Sequence, residues 1–144
     1  MARLPVGQKP IVMPSYPHML TEDTDVWTAY LKAPLVPITE VWYDLHVGEP
    51  VTPVDAADIL GARIAAGISR KRIDVVAKVD RGYWVIEVKP FAGMLAVGQI
   101  LSYTRLFISE YLPAEEVWPV IICLNADPDL ISNYEAYGIV VITV

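Results

Sequence analysis

Three polar side chains, Asp74, Glu87 and Lys89, interrupt an otherwise apolar stretch, RIDVVAKVDRGYWVIEVKP, residues 72–90. Two carboxylates brought close together repel unless a cation lies between them or one of them holds a proton. Carboxylate and carbonyl oxygens are hard ligands that suit Mg2+ or Mn2+. The backbone carbonyl of Val88, between Glu87 and Lys89, is a further candidate ligand. Lys89 could position or deprotonate a water beside such a metal, or offset negative charge as it develops. A second reading is a solvated sheet face carrying a cross-strand charge pair, contributing a few tenths of a kcal/mol to ~1 kcal/mol.

Strand side chains alternate faces. The pattern puts Ile73, Val75, Ala77 and Val79 on one face, and Asp74, Val76 and Lys78 on the other. In the second arm Trp84, Ile86 and Val88 oppose Val85, Glu87 and Lys89. A two-residue loop at Arg81-Gly82, or a four-residue loop over 80–83, matches the apolar faces of the two arms. Either loop sets Asp74 opposite Lys89 and Val76 opposite Glu87, with the carboxylates as diagonal neighbours. A three-residue loop would separate them, so an even loop is expected.

Other elements must position this hairpin. TEDTDVWTAYLKA, 21–33, reads as a helix: Thr21 or Thr24 can cap it, and Glu22, Asp23 and Asp25 suit its N-terminal dipole. Val26, Trp27, Tyr30 and Leu31 share a face. Residues 38–48 read as a strand closed by Gly48 and Pro50, and 54–69 as a helix. MLAVGQILSYTRLFISEY, 94–111, is strongly helical. VWPVIICLN, 117–125, reads as a strand covered on both faces. DPDLISNYEAYG, 127–138, reads as a short helix with a capping Asp and a terminal Gly, and IVVITV as a last buried strand. The fold class expected is α/β: three strands with antiparallel links followed by crossover units, giving a mixed central sheet flanked by helices. Residues 1–20, rich in Pro, read as an extended arm reaching for a neighbour, and 21–144 as a single domain.

The chain has 144 residues, 54% of them hydrophobic, and a net charge of −6. Such a charge argues against coating nucleic acid over the whole surface, since phosphate contacts need Lys and Arg. Arg70, Lys71 and Arg72 form the one basic cluster, placed to meet a phosphate or to end a strand in solvent. No apolar run reaches the roughly 20 residues of a membrane helix, and the first residues lack a signal-peptide pattern. Cys123, alone in VIICLN, fits a reducing intracellular setting, so a cytoplasmic location is expected. His18 and His46 have no ligand-like spacing. Trp27 and Trp42 are core residues or base-stacking platforms.

In AVGQILSYTRLF, Gln99 and Tyr103 stand at i and i+4 and share a helix face. Asp74, then Glu87-Val88-Lys89, then Gln99-x-x-x-Tyr103 resembles the PD-(D/E)XK nuclease superfamily. The likeness is strongest to its RecB-like branch, in which a Q-x-x-x-Y helix follows the E-x-K strand, and it covers roughly residues 21–125. Ile73 stands where the motif has its proline. The resemblance implies a restriction-endonuclease-like core. It implies that Asp74 and Glu87, with the Val88 carbonyl, ligate Mg2+ or Mn2+, and that Lys89 activates or orients the attacking water. Gln99 and Tyr103 would brace the site or touch the DNA backbone, and Arg72 lies close enough to meet a phosphate. Many members add an acid from the first helix, for which Glu22, Asp23 and Asp25 are candidates and Glu40 a weaker one. The expected activity is divalent-metal-dependent endonucleolytic hydrolysis of DNA phosphodiester bonds. The alternative is a non-catalytic module of the same fold in a larger phage or mobile-element complex. The apolar excess and the arm suggest a homo-oligomer. Duplex, single strand, junction and RNA are not distinguished.

Overall fold

The computed structural model describes residues 2–49 and 71–144; the helix expected over 54–69, and Arg70, lie outside them. The element order is α1 (Thr21–Lys32), β1 (Glu40–Val47), β2 (Lys71–Val79), β3 (Gly82–Ala92), α2 (Met94–Tyr111), β4 (Glu116–Ala126), a 3-10 turn (Pro128–Leu130), α3 (Ile131–Ala136) and β5 (Val140–Thr143). The fold is α/β. One five-stranded mixed sheet runs β1-β2-β3-β4-β5, antiparallel from β1 to β3 and parallel from β3 to β5.

Two consecutive parallel steps in one direction must carry their crossovers over one face if both are right-handed. Ile100 and Phe107 of α2, and Tyr134 of α3 with Leu130 before it, accordingly share a single core with Val76, Val85 and Ile121. The opposite face is covered by α1, whose Val26, Trp27 and Tyr30 pack on Val75, Ala77, Ile86, Val88, Val120 and Ile122. Both faces of the central strands are therefore apolar and covered, which is why VWPVIICLN reads as an unbroken hydrophobic run.

The start of α1 departs from expectation. Its N-cap is Leu20, with no side-chain cap. Thr24 instead lies buried within the helix, its N–H donating to the Leu20 carbonyl. Asp127 does cap as expected, accepting from the Asp129 N–H. The N-terminal arm folds onto its own sheet. Gln8 and Val41 exchange backbone hydrogen bonds at the β1 edge, Trp42 Nε1 donates to the Pro5 carbonyl, and Tyr16, buried, meets the Thr28 hydroxyl at 2.8 Å. Trp27 and Trp42 are both buried, which leaves neither ring free to stack on a base.

Candidate active site

The β2–β3 turn is Asp80-Arg81, since Val79 pairs with Gly82, not the Arg81-Gly82 loop expected from sequence. Neither turn residue adopts positive φ, so the turn needs no glycine inside it. Gly82 serves a different end: a Cβ there would collide with the Glu116 carbonyl oxygen, so its missing side chain lets β4 start alongside β3. The even loop keeps the facing of the two arms, but the register moves by two. The ladder runs to Val75↔Ile86, and one step further Asp74 meets Glu87. The carboxylates thus lie directly across from one another, not diagonally, and Asp74 does not oppose Lys89.

The ladder ends at this position. The Val88 N–H donates to Asp74 Oδ2 at 2.9 Å, so a side chain takes the place of a backbone acceptor and ties the carboxylate to the edge of β3. In a strand the N–H and C=O of one residue point the same way, so the Val88 carbonyl also lies on the Asp74 side. Face alternation slips here too. Val75 packs under α1 while Ile73 packs under α2, and on β1 Tyr43 and Leu45 divide in the same way. Asp44, between Tyr43 and Leu45, has φ 52°. The simple alternation that put Ile73 with Val75 therefore fails where the strands bend around the site.

Glu87 is only 4% exposed, which excludes the solvated-face reading for it. Its Oε1 lies 3.5 Å from Lys89 Nζ, on a side chain that keeps 30% of its surface exposed. Its Oε2 is buried with no hydrogen-bond partner. Burial first, and the Asp74 charge second, push Glu87 up to about 8 against the pull of Lys89. Burial likewise pushes Asp74 up to about 6, opposed by the Val88 N–H and reinforced by Asp23. Two desolvated carboxylates in contact titrate as a unit; without a cation they retain a proton into the neutral range.

Asp23 is the first-helix acid that reaches this centre. It is partly buried, whereas Glu22 and Asp25 are exposed. Burial raises its pKa, and the Lys89 ammonium pulls it back. Glu40 pairs in register with Lys78, toward the hairpin turn and away from the carboxylates. From the other face, α2 presents Gln99 and Tyr103. Burial and then the charges of Glu87 and Asp74 raise the Tyr103 phenol, and the neighbouring Gln99 amide pulls it back. Gln99 Oε1 is the other buried acceptor without a partner among the described residues. Cys123 is buried, and that burial raises its thiol pKa, the reverse of what a nucleophile needs.

Arg72, two residues before Asp74 on β2, turns toward β1, its guanidinium 3.7 Å from Asp44 Oδ1. Asp44 also gathers His18 and His46, at 3.3 and 3.7 Å from its Oδ2, so the two histidines that look isolated in sequence meet on one carboxylate. The available signal was Asp44-x-His46 on a strand whose register partner carries Arg72; nothing in the spacing links His18 to them.

Among the described residues no three His, Cys, Asp or Glu side chains form a group able to hold a metal by themselves. The donors present are two carboxylates, one of them with an unpaired oxygen, and a strand carbonyl. That set fits Mg2+, which keeps several waters and takes one or two carboxylates together with substrate phosphates. Set against family models, curated proteins and solved structures, the chain matches none of them.

Proposed function

We propose that the protein is a divalent-metal-dependent nuclease of the PD-(D/E)XK type that hydrolyses DNA phosphodiester bonds. The observation that carries this reading is the pair of unpaired buried oxygens, Glu87 Oε2 and Gln99 Oε1, beside a second carboxylate. Buried acceptors without partners are rare in folded proteins and call for an ion, a water or a functional cause. Gln99 Oε1 only accepts, and Glu87 Oε2 only accepts once its carboxyl has lost the proton that burial favours, so a cation or its hydration shell satisfies them where an anion would not. The antiparallel β1–β3 meander followed by parallel strands, with α1 and α2 on opposite faces, supports a restriction-endonuclease-like core.

Asp74, Glu87 and the Val88 carbonyl would hold Mg2+ or Mn2+, with Asp23 near enough electrostatically to contribute through a water. The cation supplies positive charge against the phosphoryl oxygens of a bound phosphodiester. Lys89, partly exposed beside Glu87, would orient the incoming water and offset negative charge as it develops. Gln99 and Tyr103 would flank the carboxylates from the α2 side. The few protein ligands would leave room for a substrate phosphate on the cation.

The test incubates the protein with plasmid, single-stranded and junction DNA in Mg2+ or Mn2+, beside Lys89→Ala and Asp74→Ala. Cleavage by the parent, lost in both variants, is the expected result. Unchanged cleavage in both variants would refute the site. No cleavage of any substrate, together with no calorimetric Mn2+ binding, would favour the non-catalytic assembly module.

A further inference from the structure

Asp44 lies between the register pairs Tyr43↔Val75 and Leu45↔Ile73, which makes Asp74 its neighbour on β2. The His18–Asp44–His46–Arg72 cluster is therefore one strand spacing, about 5 Å, from the carboxylate pair. Successive phosphates on one nucleic-acid strand advance about 3.4 Å along the axis. A backbone with one phosphate at Asp74 and Glu87 has its next phosphates within reach of this cluster.

The layering of the cluster suits an anion. The carboxylate lies beneath, at 14% side-chain exposure, while His18, His46 and Arg72 keep 64%, 32% and 35%. A ligand arriving from solvent meets three donor side chains before it meets Asp44. A guanidinium presents its N–H donors in a planar fork, so it can serve a carboxylate and a phosphate together. The two ring nitrogens of an imidazole can take different partners, and His18, whose Nε2 faces Asp44, has Nδ1 for a second one. A metal is a poor fit. The guanidinium is on the same carboxylate, and no metal-holding group is found among the described residues.

Backbone geometry gives a second observation. His18 and Asp44 both have positive φ, 54° and 52°, and Leu112 is the one other described non-glycine residue that does. Such conformations cost energy and persist where the surroundings fix them, often at ligand-binding positions. Here both fall on the two ends of one imidazole–carboxylate contact. Lys71 adjoins Arg72 and pairs with Val47 at the same end of the sheet. Lys71, Arg72 and Lys89 lie at this end together with Asp44, Asp74 and Glu87, in a chain whose net charge is −6.

We propose that His18, His46 and Arg72, seated on Asp44, form a phosphate subsite that grips the nucleic-acid backbone one or two nucleotides from the scissile bond. The subsite rests on the nuclease reading and deepens it: an acidic protein gains backbone affinity from one local cluster set beside its cation site. It carries no base readout, so its contribution is the same for any sequence.

The test measures binding of a short fluorescein-labelled DNA duplex and its single strand, in Mg2+, at several salt concentrations. Lys89→Ala serves as a non-cleaving parent. Arg72→Gln, His18→Ala and the double variant His18→Ala/His46→Ala are compared with it, and Mn2+ binding is followed by calorimetry. The expected result is several-fold weaker binding of every DNA sequence, with Mn2+ affinity unchanged. The salt dependence should also become shallower, by about one for each phosphate that the variant no longer neutralises. Affinity and salt dependence equal to the parent's, even with a lowered melting temperature, would overturn the subsite and leave the cluster as a clip for the arm. His18→Ala, at an exposed position, guards against a variant that fails to fold. If the wild type cleaves DNA while the variants bind like the parent, the subsite alone falls. If the wild type neither binds nor cleaves, the nuclease reading falls with it.

Discussion

Toward its turn, the β2–β3 hairpin is a regular ladder. Val75 to Val79 pair one for one with Ile86 back to Gly82, and buried side chains on each face meet α1 or α2. Toward its open end the same two strands stop pairing. Asp74 takes a backbone N–H, Glu87 is buried without a partner for one oxygen, and face alternation slips. The two halves share strands, helices and solvent shielding. They differ in whether every buried polar group has a protein partner. The closed half meets that condition and contributes stability. The open half fails it at Glu87 Oε2, with Gln99 Oε1 of α2 unpaired as well, and a hydrated cation would make up the deficit.

The sharpest way to break this division is Lys89→Ala. Under the nuclease reading, cleavage falls by about a thousandfold, the scale seen when one preorganised charge is removed from a reaction centre. The melting temperature stays close to the parent's, since Lys89 is partly exposed and anchors no core. The converse variant, Ile86→Ala, lies just across the boundary in the fully buried ladder. It should cost about 2–5 kcal/mol of stability by chemical denaturation, while cleavage per folded molecule is retained. A large activity loss with Ile86→Ala at a temperature where it is folded would dissolve the distinction between the halves.

The same contrast sets how much the sequence disclosed. The helix over 94–111 and the order of the elements were legible because apolar periodicity reports burial directly. Loop parity was legible because a one-residue slip would have exposed a whole apolar face. Register was not. Shifting by two residues preserves facing, so pattern cannot choose between Arg81-Gly82 and Asp80-Arg81. The choice fell to Gly82, whose close approach to Glu116 involves a strand more than thirty residues away in sequence. Asp74, Glu87 and Lys89 stood out in the sequence because polar residues in an apolar run are conspicuous. The Asp44 cluster was missed because it joins the arm, β1 and β2 through a strand that bends at Asp44, and alternation assumes a straight one.

A smaller effect sharpens the comparison through pH. Asp74 and Glu87 bind protons more tightly in the metal-free folded chain than when unfolded, because burial raises both. The folded state then holds more protons than the unfolded state between about pH 4 and about pH 8, so stability falls as pH rises through that window. The metal-free melting temperature should decline across it, and Glu87→Gln should flatten the decline. Mn2+ needs the carboxylates deprotonated, so it should raise the melting temperature more at the alkaline end than at the acid end. A metal-free profile that rises with pH over the same range would contradict the burial of the pair.

The smallest effect comes from Gln99, and it separates a structural role from a functional one. Its Oε1 is buried and unpaired, a condition that costs the metal-free fold. Gln99→Leu keeps the helix, covers similar volume and removes that acceptor. The metal-free chain should therefore be unchanged or more stable by about 1 kcal/mol, as read by chemical denaturation, even though the substitution removes the amide beside Tyr103. A bracing role alone would make the variant less stable. If instead Oε1 waits for a hydrated cation, the variant should lose part of its Mn2+ affinity by calorimetry while gaining or holding stability without metal. Opposite signs in those two measurements are what an incomplete site produces, and no fully satisfied core position in the closed half of the hairpin should give them.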